Sequence, residues 1–249
     1  MIHAAIPAVL LAATSAAASA GGPAPQVAPT AQASPTAQPD LAALARPNVL
    51  IVLMDDVGRD KIGAYGVGTD PPPTPHLDAL AAKGVVFQRA WSYQACSPTR
   101  AALLSGRYSD RTRIGGIIKP GDGRDTPLAL EEHLIPEDLP GYATSHVGKW
   151  HLGDEAAPLD HPMLSGFDAS FGWDGPNDYF QWTECIGGEL TPGEGYFPAA
   201  MAAHVSEIVK DPSAPYFVYY CPKLAHVPFH DPPVEFHSQE VAPAYPLRQ

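Results

Sequence analysis

Residues 48–54 run Asn-Val-Leu-Ile-Val-Leu-Met without a polar break, the pattern of a strand buried on both faces. Residues 215–221 repeat it around Tyr216-Phe217-Val218-Tyr219-Tyr220, and residues 142–147 and 85–90 read as shorter strands. Helical signals fall between these runs. Over residues 74–84, Thr74 caps, Pro75 opens, Leu77, Leu80 and Ala81 make the core face, and Gly84 stops the helix. In the next, Ser97 caps, Pro98 takes the first helical position, Ala101 to Leu104 favour helix and Gly106 ends it. Residues 128–139 read as helical with a break at Pro136, and residues 199–210 as an amphipathic helix. Strands alternating with helices predict an α/β fold.

The front of the chain differs. Residues 1–20 read as a signal peptide, with an apolar run over 6–13 and the small residues Ala18-Ser19-Ala20 as a cleavage site, which predicts a periplasmic or secreted protein. That run is too short to span a bilayer stably, and no cysteine follows it to carry a lipid, so no stable membrane anchor is expected. Residues 21–45 form an Ala/Pro-rich spacer of disordered composition, and the folded domain begins near Arg46 and runs through 249. A hydrophobic fraction of 45% and a charged fraction of 17% are those of a globular domain. The net charge of −12 argues against a nucleic-acid partner, while leaving an anionic small molecule open, because a site's local field can oppose the global one. Three cysteines are too few for a disulfide scaffold.

Candidate chemistry gathers at element ends. Cys96 stands at the mouth of a helix, where unpaired N–H groups favour an anion, and Arg100 lies one turn inside. Asp55 and Asp56 close the first strand, at the edge where open α/β sheets place ligands. Such adjacent carboxylates are either a turn and cap or ligands of a hard divalent cation. After residues 142–147 comes Gly148-Lys149-Trp150-His151-Leu152-Gly153; Lys149 and His151, two apart on an extended segment, point the same way. The last strand leads into Lys223-Leu224-Ala225-His226-Val227-Pro228-Phe229-His230.

Cys96-Ser97-Pro98-Thr99-Arg100, the small-residue helix with Gly106-Arg107, Gly148-Lys149-Trp150-His151, the Thr-Pro-x-Leu-Asp stretch at Thr74 and Gly166-Phe167-Asp168 together resemble the type I sulfatases. The resemblance covers residues 46 to about 236. It implies an alkaline phosphatase-like fold, a mostly parallel, mixed central sheet sandwiched by helices. It implies a sulfuric ester hydrolase acting on an aryl or carbohydrate sulfate, with Cys96 oxidised to formylglycine by a formylglycine-generating enzyme. Asp55, Asp56 and residue 96 would hold Ca²⁺ or Mg²⁺, and Arg100, Lys149, His151 and His226 would face the substrate, with His230 the competing match for the last. Cys185 and Cys221 then remain, either as a pair or as two separate buried thiols. His76 reads as a surface residue and residues 165–172 as structural. Residues 173–197 read as a loop at the substrate entrance, holding Asn177, Asp178 and Trp182. The family's Asp-Asn metal ligands and second lysine have no match here, so the C-terminal part of the fold is expected to lie outside this sequence. The alternatives are a phosphate or phosphonate monoester hydrolase of the same superfamily, and an inactive relative with a binding role.

Overall fold

A computed structural model describes residues 9–13, 46–119, 126–153, 157–174, 178–211 and 213–236. The expected spacer, most of the expected leader and Asn177 lie outside the described residues. Strands β1 (Val9–Ala13), β2 (Val49–Leu53), β3 (Ala143–Gly148), β4 (Ala169–Asp174), β5 (Thr183–Ile186), β6 (Glu189–Pro192) and β7 (Tyr216–Cys221) form one sheet in the order β1-β2-β7-β3-β4-β5-β6. The four inner strands β2, β7, β3 and β4 are parallel, while β1, β5 and β6 add antiparallel at the edges. β1 is the apolar middle of the expected leader, set against β2.

The unbroken apolar runs are strands covered on both faces, as their patterns require. Ile51, Leu53, Phe217, Tyr219 and Cys221 pack with Ala101 and Leu104 of α2 (Cys96–Ser105). On the other face Val147 and Val218 pack with Phe197, Met201 and Val205 of α3 (Phe197–Lys210). The helix-sandwiched mixed sheet expected from the sequence is therefore present.

Several local expectations are corrected. α2 starts at Cys96 with Ala95 as its N-cap, because Ser97 lies inside the first turn and accepts a 3.2 Å hydrogen bond from the Ile118 N–H. Gly106 does end it, in the left-handed conformation, its N–H bonded to the Ala102 carbonyl. α1 (Pro75–Ala81) forms, but it buries none of its residues, and Leu80 faces outward. Thr74 makes no side-chain cap to α1; its hydroxyl instead donates to Asp78 and accepts from the Gly63 N–H. Residues 85–90 are not a strand: Val85 and Phe87 are exposed, and no described strand lies beside them to pair. Residues 128–139 contain a short 3₁₀ turn, Ile135–Asp138, which Pro136 helps to open; Glu137 reaches back to the Leu134 N–H. Within residues 173–197, the stretch 183–192 is not a loop but the β5–β6 hairpin that extends the sheet, and Trp182 is buried in the core. Cys185 and Cys221 form no disulfide. β5 and β7 are separated by β3 and β4, three strand spacings or roughly 14 Å, whereas a disulfide needs Cα atoms within about 7 Å.

Candidate active site

Parallel strands share a direction, so β2, β7, β3 and β4 deliver their C-terminal residues to one edge. The registers Val52↔Tyr220 and Gly148↔Cys221 bring Asp55, Lys149, His151 and His226 to that edge. α2 then starts there, which places Cys96 beside them.

Asp55 is the centre. It is buried, with Lys149 Nζ on one oxygen and Arg100 Nη2 3.6 Å from the other. Burial alone would raise the carboxyl's pKa, but the charges of Lys149 and Arg100 outweigh it and hold the group below the usual carboxylate range. Arg100 is 1% exposed, and its Nη1 donates to the Lys149 carbonyl at 2.7 Å. One guanidinium thus braces both the carboxylate and the backbone carrying Lys149. Asp56 has a positive φ of 57° and lies 3.8 Å from His226 Nε2.

The segment after β3 turns in a way an extended chain would not. Gly148 has φ of +96°, and a Cβ there would sit 2.3 Å from the Cys221 carbonyl oxygen. His151 also has a positive φ, 56°. Lys149 and His151 do converge, yet through these turns and not through strand alternation. Trp150 points away and donates to His161 Nδ1 at 3.0 Å, while His161 Nε2–H donates to the Leu128 carbonyl. The tryptophan thereby anchors the segment to the core.

His151 Nε2 lies 3.0 Å from the Ile118 carbonyl, which only accepts, so the neutral ring carries its proton on Nε2. Nδ1 is then a bare acceptor 3.1 Å from Cys96 Sγ. Burial, then the neighbouring Lys149 charge, push the His151 pKa down to about 4. His226 has the opposite tautomer: Nδ1–H donates to the Val227 carbonyl at 2.7 Å, leaving Nε2 to face Asp56. The Tyr179 hydroxyl lies 2.7 Å from the His226 carbonyl and 3.0 Å from that of Lys223, tying down this turn. His230 is instead packed on Tyr179, with its Nε2 2.9 Å from the Tyr196 hydroxyl. Between the two histidines, His226 is the one at the site.

Asp55, Asp56, Cys96, Arg100, Lys149, His151 and His226 are thus gathered at one edge of the sheet. Asp178 caps its own turn, accepting from the Phe180 and Gln181 N–H groups. His76 is exposed, and Asp168 holds the Thr144 N–H, a structural role as expected. A cavity of about 500 Å³ opens from the site, lined among others by Lys149, His151, Trp173 and His226. Two adjacent carboxylates are hard oxygen donors suited to Ca²⁺ or Mg²⁺, but such a cation takes six or more ligands. Among the described residues no group of three acidic, histidine or cysteine side chains could hold a metal. Asp55 and Asp56 therefore fit as part of a cation's shell and do not make one alone.

Sequence reasoning missed Lys223, which is buried at this edge. The one available signal was a lysine between the apolar strand and His226. It also missed Tyr179, whose distance in sequence from the β7 turn leaves no spacing to read.

Comparison with known proteins gives concordant results. The family model described as Sulfatase matches residues 47–245. N-acetylgalactosamine-6-sulfatase of Sus scrofa is 35% identical over 218 residues, which cover 74% of this chain and 40% of that protein. Arylsulfatase J of Mus musculus is 30% identical over 211 residues, covering 77% of this chain and 34% of that protein. BT4656, solved in complex with its substrate D-glucosamine-2-N,6-O-disulfate, superposes with a TM-score of 0.61 at 24% identity, over 73% of this chain and 35% of that one. This last likeness bears on the fold, where the alkaline phosphatase-like expectation holds. The chain spans about 40% of the length of the first curated relatives it matches.

Proposed function

The chain belongs to the sulfatase family, and from that membership we propose that it serves the hydrolysis of a carbohydrate sulfate ester, with residue 96 as the site of the nucleophile. The observation that carries the reading is the convergence of Cys96, His151, Arg100 and Lys149 around Asp55. The 35% identity to an N-acetylgalactosamine-6-sulfatase supports a sulfated sugar over a simple aryl ester.

Residue 96 meets the needs of formylglycine: it is partly buried, at a helix N-terminus, with an imidazole acceptor 3.1 Å away. Once converted by a formylglycine-generating enzyme, the side chain supplies a hydrated aldehyde as nucleophile. Asp55 and Asp56 would hold the divalent cation, with further ligands from outside the described residues; when bound it supplies Lewis-acid polarisation.

The chain's own side chains do the rest. Arg100 and Lys149 offset negative charge on the sulfate oxygens as the S–O bond to the sugar breaks. Their positions are held before substrate arrives, because Asp55 binds both. His151 is neutral, with Nδ1 toward residue 96, and so accepts the proton that leaves there. His226 has Nδ1–H held by the Val227 carbonyl and Nε2 turned to Asp56, so it serves the departing sugar oxygen as the imidazolium, giving up the proton on Nε2 and returning to the neutral Nδ1–H ring. The buried surroundings exclude water, which strengthens each of these charges.

Parallel assays of the intact protein on an aryl sulfate, a 6-O-sulfated amino sugar and an aryl phosphate test the reading. Sulfate hydrolysis abolished by Cys96→Ala supports it. A clear preference for the phosphate would move the assignment to the phosphomonoester hydrolases of the superfamily, and activity on none of the three would favour a binding role.

A further inference from the structure

Lys223 follows β7 and shares one tight turn with His226, whose N–H donates to the Lys223 carbonyl at 3.0 Å. The residue is 1% exposed, and its Nζ has no hydrogen-bond partner among the described residues. The ammonium instead lies over two rings, 4.5 Å from the centre of Tyr179 and 5.2 Å from that of Trp173. An ammonium has three donors, and a ring face satisfies it only in part. Burying such a group without an acceptor is costly.

The nearby charges do not remove that cost. Lys149 opposes it, while Asp178 and Asp55 favour it. Yet Asp55 is taken by Lys149 and Arg100, and Asp178 by backbone N–H groups. Trp173, on which Lys223 rests, lines the cavity together with Lys149, His151 and His226. Among the described residues, this buried cation beside a cavity has no anion of its own, because the carboxylates that act on it are already engaged.

We propose that Lys223 is an anion-binding residue of this site, its ammonium donating to a sulfate oxygen of the substrate next to Trp173. The inference rests on the reading of this edge as a sulfate-ester site. Lys223 then joins Arg100 and Lys149 as a third cation facing the ligand, and its turn couples that contact to the position of His226. Burial, and then the Lys149 charge, lower the Lys223 pKa to about 8. The charged form is thus disfavoured relative to an ordinary lysine, and a bound anion would offset that cost.

The test titrates the chain with inorganic sulfate and follows the ε-carbon NMR resonances of its lysines. Spectra of Lys223→Met and Lys223→Arg identify the signal, and calorimetry gives their sulfate affinities. Sulfate should shift the Lys149 and Lys223 resonances together. Losing one charge-assisted hydrogen bond in Lys223→Met should weaken sulfate binding roughly ten- to hundredfold, with Lys223→Arg restoring most of it. A Lys223 signal that stays fixed while Lys149 responds overturns this inference and leaves the sulfate site standing, as does Lys223→Met binding with unchanged affinity. If neither lysine responds, the sulfate-site reading falls with it. Should Lys223→Met fail to fold, the unmodified chain's spectra, assigned with Lys223→Arg, decide the matter alone.

Discussion

Cys96 Sγ lies 3.1 Å from Nδ1 of His151, and the Ile118 carbonyl on the far side of the ring makes that nitrogen the bare one. The pair therefore has a direction: a proton on residue 96 has an acceptor, and the acceptor is oriented by backbone. In the intact protein, His151→Ala should lower kcat roughly 10²- to 10⁴-fold, the usual range for a lost acid–base group. His151→Asn should not recover it, since an amide does not exchange the proton. Steady-state kinetics on a substrate with a slow leaving group checks this, and an unchanged kcat would remove His151 from proton transfer.

Asp55 bridges Lys149 and Arg100, and a buried carboxylate that loses a cation keeps the cost of desolvation. Lys149→Met should destabilise the chain by about 2–4 kcal/mol, less than the full buried-pair value because Arg100 remains. Asp55→Asn combined with Lys149→Met should restore part of that loss. Urea unfolding of the single and double variants measures it, and simple additivity would show that the two residues do not act as a pair.

Acid should weaken the fold through two histidines. His146 is buried, with its pKa lowered to about 3, and His151 is lowered to about 4. In both, burial is the leading cause, and both lie below the 6.5 of an ordinary histidine. The unfolded chain thus binds more protons between those limits, so stability is complete above pH 6.5 and falls as the pH drops toward 4. The slope is about 1.4 kcal/mol per pH unit for each histidine. Denaturant midpoints between pH 7.5 and 5 test this; a flat profile would mean that the rings are not buried neutral.

Gly148 has no room for a side chain, with the Cys221 carbonyl 2.3 Å from where a Cβ would sit and a φ of +96°. Gly148→Ala should cost about 2 kcal/mol or more in stability, and it should also displace Lys149 and His151. Activity should therefore fall further than stability alone explains. Melting temperature measured beside kcat/KM separates the two effects.

Much of the site was legible because its residues sit at the ends of elements that announce themselves. The apolar runs of β2 and β7 fix where Asp55 and His226 emerge, and Gly106 fixes the helix that begins at Cys96. Lys149 and His151 do come to one edge, but not by the alternation expected of them, since positive φ at Gly148 and His151 does not follow from alternation. Apolar spacing failed where the described chain offers nothing to pack against, as at Leu80, Val85 and Phe87. The β5–β6 hairpin was hidden by its own glycines and by the glycines and aromatics around it, which read as a loop. Lys223 was passed over because a lysine next to an apolar strand ordinarily escapes to solvent, and this one does not.

The account turns on what residue 96 becomes, and peptide mass spectrometry reads it directly. The protein produced alongside a formylglycine-generating enzyme should yield a residue-96 peptide lighter than the cysteine form by the exchange of sulfur for oxygen and the loss of two hydrogens. An unmodified thiol in a preparation that hydrolyses its sulfate ester at full rate would contradict the account.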